Sequence, residues 1–209
     1  MTETPQQPLV RKERERLAKR QEIIAAARKV FASKGYESAT LDEIAEKAEF
    51  AKGTLYNYFD NKESLFKEIV ASMLHDMKRV AEEALEAGGS VRQQFHRYAT
   101  RTIEYYKANE DLLRILSREL HQMQIEEEIV EIMKQVRNIA SVLAFTLRKE
   151  MNKRNIIRED PIELAHVFIG MIHNRAMRRS FERKGLSSLD IEKEATFLVR
   201  LFFEGAALP

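Results

Sequence analysis

Cysteine is missing from all 209 residues, which excludes both a disulfide framework and a thiolate metal site. Glycine and proline are scarce, at 7 and 4 residues, and no proline falls between Pro8 and Pro161. Nothing in that long interval forces a helix to stop, since proline is the residue that most strongly breaks one. The alternation of apolar and polar residues that marks a strand is absent, and so are internal repeats. No hydrophobic run is long: the densest lies around Val167 to Ile172, far short of the roughly 20 residues a bilayer-spanning helix needs. The first ten residues, MTETPQQPLV, lack the basic-then-apolar order of a signal peptide. A soluble, cytoplasmic protein is the expectation. Charge of one sign is also lacking, with 35 Lys and Arg against 33 Asp and Glu for a net +2, so bulk charge announces no nucleic-acid partner.

Apolar residues at helical spacing fill almost the whole chain, which predicts an all-α fold of about nine helices. The expected spans are roughly 10–34, 41–48, 52–58, 61–86, 90–108, 111–122, 125–153, 161–184 and 189–204. Glycines mark several ends, and Pro161 stands where a helix tolerates proline, in its first turn. The last two helices are apolar nearly all round, with Val167, Phe168, Ile169, Met171 and Ile172 in one and Phe197 to Phe203 in the other. Such helices are covered on several sides, by a partner subunit or by the chain's own core.

The most informative stretch is 40–65, TLDEIAEKAEFAKGTLYNYFDNKESL. Leu41, Ile44, Ala45 and Ala48 give one short helix an apolar face, and Leu55 and Phe59 do the same for the next. The second helix then displays Lys52, Gly53, Thr54, Tyr56 and Asn57. Two short helices joined by a tight turn form a helix-turn-helix, whose second helix enters the DNA major groove. Thr40 with Glu43, and Asp60 with Glu63, read as capping boxes that fix helix starts. Lysine can reach guanine edges or phosphates, and asparagine can pair with adenine in a bidentate way. Tyrosine and threonine hydroxyls hold the phosphate backbone, so Lys52, Thr54, Tyr56, Asn57 and Tyr58 are the candidate DNA contacts. Upstream, Arg11, Lys12, Arg14, Arg16, Lys19 and Arg20 cluster against Glu13 and Glu15. They form either an arm for DNA phosphates or a solvated extension of the first helix.

On these residues the chain resembles the TetR family of transcriptional regulators. The resemblance runs from about Gln21 to Phe66, through IIAAARKVFASKGYESAT, LDEIAEKA, KGTLYNYF and the Asn61-Lys62-Glu63 start with Leu65 and Phe66. It implies an N-terminal three-helix DNA-binding domain over 1–60, with 1–19 as arm or extension, and a C-terminal effector-binding and dimerisation domain over 61–209. It implies DNA roles for Thr40, Lys52, Gly53, Thr54, Tyr56, Tyr58 and Lys62. The turn departs from the family pattern: Glu49 stands where glycine is usual, and Phe50 and Ala51 where valine and serine are frequent. A non-glycine residue in a left-handed turn is uncommon, so either Glu49 adopts that conformation or the turn takes another shape.

The resemblance further implies a homodimer built on the last two helices, with Ile169, Met177, Phe181, Leu198, Leu201 and Phe202 as interface candidates. It also implies an effector cavity among helices four to eight. There Met73, Met77, Phe95, Tyr98, Tyr106, His121, Met123, Phe145 and His173 offer adaptable apolar surface with a few polar anchors. The partners expected are palindromic double-stranded DNA and a small, largely apolar effector that releases the protein, acting as repressor, from its operator.

Enzyme chemistry finds little support. Glu163 and His166 form one Glu-x-x-His pair, but a di-iron bundle needs two such pairs. His166 and His173 lie near one face of a helix and would need a third ligand from elsewhere to hold a metal; buried polar contacts are the simpler reading. Neither a glycine-rich phosphate loop nor a nucleophile elbow is present, so no catalytic residue, metal or cofactor is expected. Two alternatives stay open: a helical interaction protein with a degenerate helix-turn-helix, and a small helical enzyme that uses the cavity.

Overall fold

The computed structural model describes residues 11–119, 126–153, 156, 158–182 and 185–206, and places nine α-helices and no strand among them. No helix among the described residues is long and apolar enough to cross a membrane. The chain divides into two compact units, Met1–Ile69 and Val70–Pro209. The division falls inside a helix, nine residues beyond the 60/61 boundary expected from the sequence.

In the first unit, α1 (Arg11–Lys34) buries Ile23, Ile24, Ala26, Ala27, Val30 and Phe31, a stripe at helical spacing. Phe31, Tyr36 and Phe66 stack their rings at 5.2–6.3 Å between centroids. Against α1 packs α2 (Leu41–Lys47), and against α2 packs α3 (Lys52–Tyr56); Phe66 and Glu68 of α4 (Lys62–Glu86) meet Phe31 and Arg20 of α1. Thr40 and Glu43 form the expected capping box of α2. The cap of α4 differs from expectation. Asn61, not Asp60, accepts from the Ser64 backbone N–H at 2.7 Å, and Ser64 Oγ reciprocates at 3.4 Å. The shorter asparagine–serine pair closes the box one residue later. Helix α3 also ends earlier, because the N–H groups of Asn57 and Tyr58 turn back to Thr54 and Leu55, three residues away.

In the second unit, α5 (Val91–Ala108) packs on α8 (Pro161–Ser180) and α9 (Ile191–Ala206), and α7 (Glu126–Asn152) packs along α8. A short α6 (Glu110–Glu119) and a 3₁₀ turn (Gly185–Ser188) complete it. Phe95, Phe168, Phe202 and Phe203 form an aromatic cluster with centroids 4.8–5.7 Å apart, close enough for favourable ring packing beyond simple burial. Ser90 with Gln93 boxes the start of α5, and Asp160 with Pro161 starts α8. Helix α8 stops at Ser180, short of the expected 184, where Phe181 and Glu182 tighten the last turn with bonds to Arg178 and Arg179.

Candidate functional site

Helix α3 is five residues long and is held by its one buried side chain, Leu55, with Phe59 just beyond it. Lys52, Gly53, Tyr56 and Asn57 are exposed, and Thr54 and Tyr58 are partly so. Tyr56 keeps half of its surface in solvent, at 51%. A Cβ added to Gly53 would meet nothing within 4 Å. Glycine in a helix interior is less favourable than alanine by about 1 kcal/mol, and nothing inside the protein requires it there.

The turn between α2 and α3 settles the question raised by Glu49. Its φ is 60°, squarely left-handed. Glu49 N–H donates to Glu46 O at 3.0 Å and Phe50 N–H to Ala45 O at 2.9 Å, the two bonds of a Schellman motif. The turn keeps the geometry that glycine would give it, with a strain of roughly 1 kcal/mol carried by Glu49.

Several of the basic residues are already engaged. Lys62 donates to Tyr36 O at 2.7 Å and Glu37 O at 3.0 Å and lies 4.4 Å over the Tyr36 ring. It clamps the α1–α2 loop rather than presenting a free ammonium. Arg20, expected in the basic cluster, forms a bidentate pair with Glu68, donates to Tyr58 O at 3.1 Å and stacks on Phe59. It holds the residues after α3 in place. Lys52 Nζ contacts Asp42 at 2.5 Å, and that hydrogen bond raises its pKa. Thr40 Oγ accepts from Glu43 N–H, which leaves the hydroxyl proton available. Arg11, Lys12, Arg14, Arg16 and Lys19 remain exposed along the first turns of α1.

The second unit contains a cavity of about 630 Å³, within the usual range for small-molecule sites. Val70, Met73, Leu74 and Met77 of α4 form one wall, at the i, i+3, i+4, i+7 spacing of a single helix face. Tyr98 and Tyr106 of α5, Leu116 of α6, Ile132, Val136 and Ile139 of α7, and His166, Ile169 and His173 of α8 line the rest. Tyr106 OH and His173 Nδ1 are hydrogen-bonded at 3.2 Å. Burial pushes the Tyr98 phenol up to about 12, raises Tyr106 further and lowers His173, so these inner groups are neutral near pH 7. His166 Nε2 is shielded from solvent without a hydrogen-bond partner among the described residues.

Of the cavity residues expected from the sequence, Met73, Met77, Tyr98, Tyr106 and His173 come together here. Phe95 does not; it is fully buried in the aromatic cluster. Phe145 points outward at 62% exposure, because the wall-forming face of α7 is that of Ile132, Val136 and Ile139. His121 and Met123 lie outside the described residues. Most of the other lining residues were not assigned to the cavity from the sequence, among them Val70 and Leu74 on α4, Leu116 on α6, and Ile132, Lys134, Val136, Arg137 and Ile139 on α7. The apolar ones belong to helix faces whose periodicity marks burial but not a cavity, and the two cations stand beside such a face.

The interface candidates also divide. Leu198 and Phe202 are 2% and 6% exposed, packed in their own chain's core, so they are not available to a partner. Ile169 lines the cavity. Met177 is half-buried, whereas Phe181 and Leu201 are 61% and 52% exposed. Val167 and Phe197, exposed at 55% and 38%, extend the apolar surface of α8 and α9. Phe197 and Leu201 share a face one turn apart, and Leu198 and Phe202 turn inward beside them. Among the described residues no group of three His, Asp or Glu side chains is placed to hold a metal ion.

The family model for bacterial regulatory proteins of the tetR family matches residues 23–69, which contain α2, the turn and α3. A second model, for the finger domain of the bacterial DNA polymerase III alpha subunit, matches residues 61–174. Two solved regulator structures cover 90% and 96% of this chain, more than that stretch alone. The HTH-type transcriptional regulator YhgD of Bacillus subtilis is 32% identical over 149 residues, covering 70% of this chain and 76% of its own. The fatty acid metabolism regulator protein of the same organism is 32% identical over 124 residues, 56% of this chain and 62% of that protein. Among solved structures, the transcriptional regulator FadR from Bacillus subtilis in complex with stearoyl-CoA superimposes with a TM-score of 0.75. It does so at 19% identity, over 88% of this chain and 98% of that one, a likeness of fold.

Proposed function

The chain belongs to the tetR family of bacterial regulatory proteins, DNA-binding helix-turn-helix regulators of transcription, and from that premise we propose a dimeric repressor released from a palindromic operator by a largely apolar effector. One observation carries the reading. Helix α4 is continuous from Lys62 to Glu86; its first turns hold Leu65, Phe66 and Ile69 in the core of the DNA-binding unit, and its next turns wall the cavity with Val70, Met73, Leu74 and Met77. An effector that binds one disposition of α4 better than another biases DNA binding by that difference in affinity and no more.

Lys52, Gly53, Thr54, Tyr56, Asn57 and the Thr40 hydroxyl form the proposed DNA surface, with Tyr58 at its edge. Lys62 and Arg20 position it. Two copies would read half-sites about 34–36 Å apart. Val167, Phe181, Phe197 and Leu201, with Met177, form the proposed dimer face, since that much apolar surface on two adjacent helices is rarely left to solvent. Gly170 is exposed on α8 and also lines the cavity, where it admits close approach by a partner helix or by the effector. The effector class draws support from the stearoyl-CoA bound to the Bacillus subtilis FadR of the same fold, and from a relative that regulates fatty acid metabolism.

Selection of bound fragments from sheared genomic DNA at near-physiological salt tests the reading. A repressor of this kind enriches one palindrome near a few genes, and its affinity falls steeply with salt as phosphate contacts release counterions. No enrichment even at low salt removes it.

A further inference from the structure

Among the described residues, the cavity lining includes Lys134 and Arg137 and no carboxylate. Both cations are exposed and stand one turn apart on α7. With Met133, 57% exposed, and Gly170 on α8, they are the solvent-facing members of the lining and so mark its mouth. Deeper in, Met73, Met77 and Leu116 are buried, and Tyr98, Tyr106 and His173 are uncharged near pH 7. Among the described residues Lys134 has one acidic neighbour, Glu131 at 3.7 Å, in a pair more than half exposed on both sides and therefore weak. The Arg137 guanidinium has no hydrogen-bond or ion-pair partner among the described residues.

We infer that the effector is an acidic amphiphile. Its apolar tail fills the cavity, and its carboxylate or phosphate head stays at the mouth between Lys134 and Arg137. An anion held there keeps part of its hydration while gaining charge-assisted hydrogen bonds, and the planar Arg137 fork suits either head geometrically. An anion drawn deeper would be desolvated among apolar groups with no cation to meet it. A cationic ligand would meet two positive charges at the entrance. This inference rests on the cavity being the effector site proposed above.

Titration calorimetry with four ligands of one chain length tests it: dodecanoate, dodecanoyl-CoA, dodecanol and dodecyltrimethylammonium, each below its micelle concentration. At least one of the two anions is expected to bind about tenfold tighter than dodecanol, the size expected from two exposed charge contacts. The tighter anion identifies the source of the head, a free acid or a phosphate-bearing thioester. In a Lys134→Glu, Arg137→Glu double variant the preference disappears while dodecanol binds as before. Equal binding of dodecanol, or tighter binding of the quaternary ammonium, overturns the head-group assignment and leaves the cavity as effector site. No binding by any of the four overturns both.

Discussion

The DNA-binding unit and the cavity-bearing unit place their proposed functional side chains in opposite ways. In Met1–Ile69 the core is apolar and the proposed DNA contacts, Lys52, Thr54, Tyr56 and Asn57, stand outside it, so a residue either supports the surface or belongs to it. In Val70–Pro209 the proposed effector surface is itself apolar: Met73, Met77, Tyr98 and Tyr106 line the cavity yet are as buried as the core around Phe95 and Phe168. Function and stability are separable by substitution in the first unit and entangled in the second.

Leu55→Ala breaks the first half of that contrast most strongly. Leu55 is fully buried and is the one buried anchor within α3, so the change should cost about 3 kcal/mol in denaturant unfolding and abolish DNA binding with it. Arg20→Ala comes next, at roughly 1–2 kcal/mol. It removes a bidentate pair, a bond to a backbone carbonyl and ring stacking, all partly buried. Its DNA affinity should fall while the salt dependence stays, because no phosphate contact is lost. Tyr56→Ala should do the reverse: affinity for operator drops about tenfold, or ~1.4 kcal/mol, with stability within about 0.5 kcal/mol. A Tyr56 variant that unfolds easily would mean the exposed face of α3 is part of the scaffold after all.

His173 sharpens the second half. Burial lowers its folded pKa below the unfolded value, so the unfolded chain takes up the proton first on acidification. Stability is therefore full above the ordinary histidine value near 6.5 and falls as pH drops from there toward the folded pKa. Thermal unfolding from pH 8 to pH 5 should show this loss, and His173→Gln should flatten it. Glu49→Gly is the smallest effect and has the opposite sign. Relieving a left-handed glutamate should stabilise the first unit by up to about 1 kcal/mol without altering DNA binding. Destabilisation would mean that Glu49 makes a contact worth more than its strain.

How much of this was legible in the sequence follows the same division. The all-α fold, the helix-turn-helix, the Thr40 capping box and the outward set on α3 could all be read, because short-range spacing decides them. Lys62 could not: nothing local says that its ammonium reaches back 26 residues to the Tyr36 carbonyl. Arg20 failed for the same reason, since its partners Tyr58 and Glu68 lie 38 and 48 residues away. In the second unit, Phe95 and Tyr98 are both buried on α5, and periodicity cannot say that one ends in an aromatic cluster and the other beside a cavity. Leu198 and Leu201 both suit an apolar helix; only the packing of α9 on α5 decides which turns in. Lys134 and Arg137 carry no local mark of a cavity, and only the packing of the wall they stand on puts them beside one.

The most direct measurement is operator affinity by fluorescence anisotropy, with and without a saturating long-chain ligand that calorimetry shows to bind. If α4 couples the cavity to the DNA-binding unit, ligand weakens operator binding, and operator weakens ligand binding by the same factor. A ligand that occupies the cavity and leaves operator affinity unchanged would contradict it.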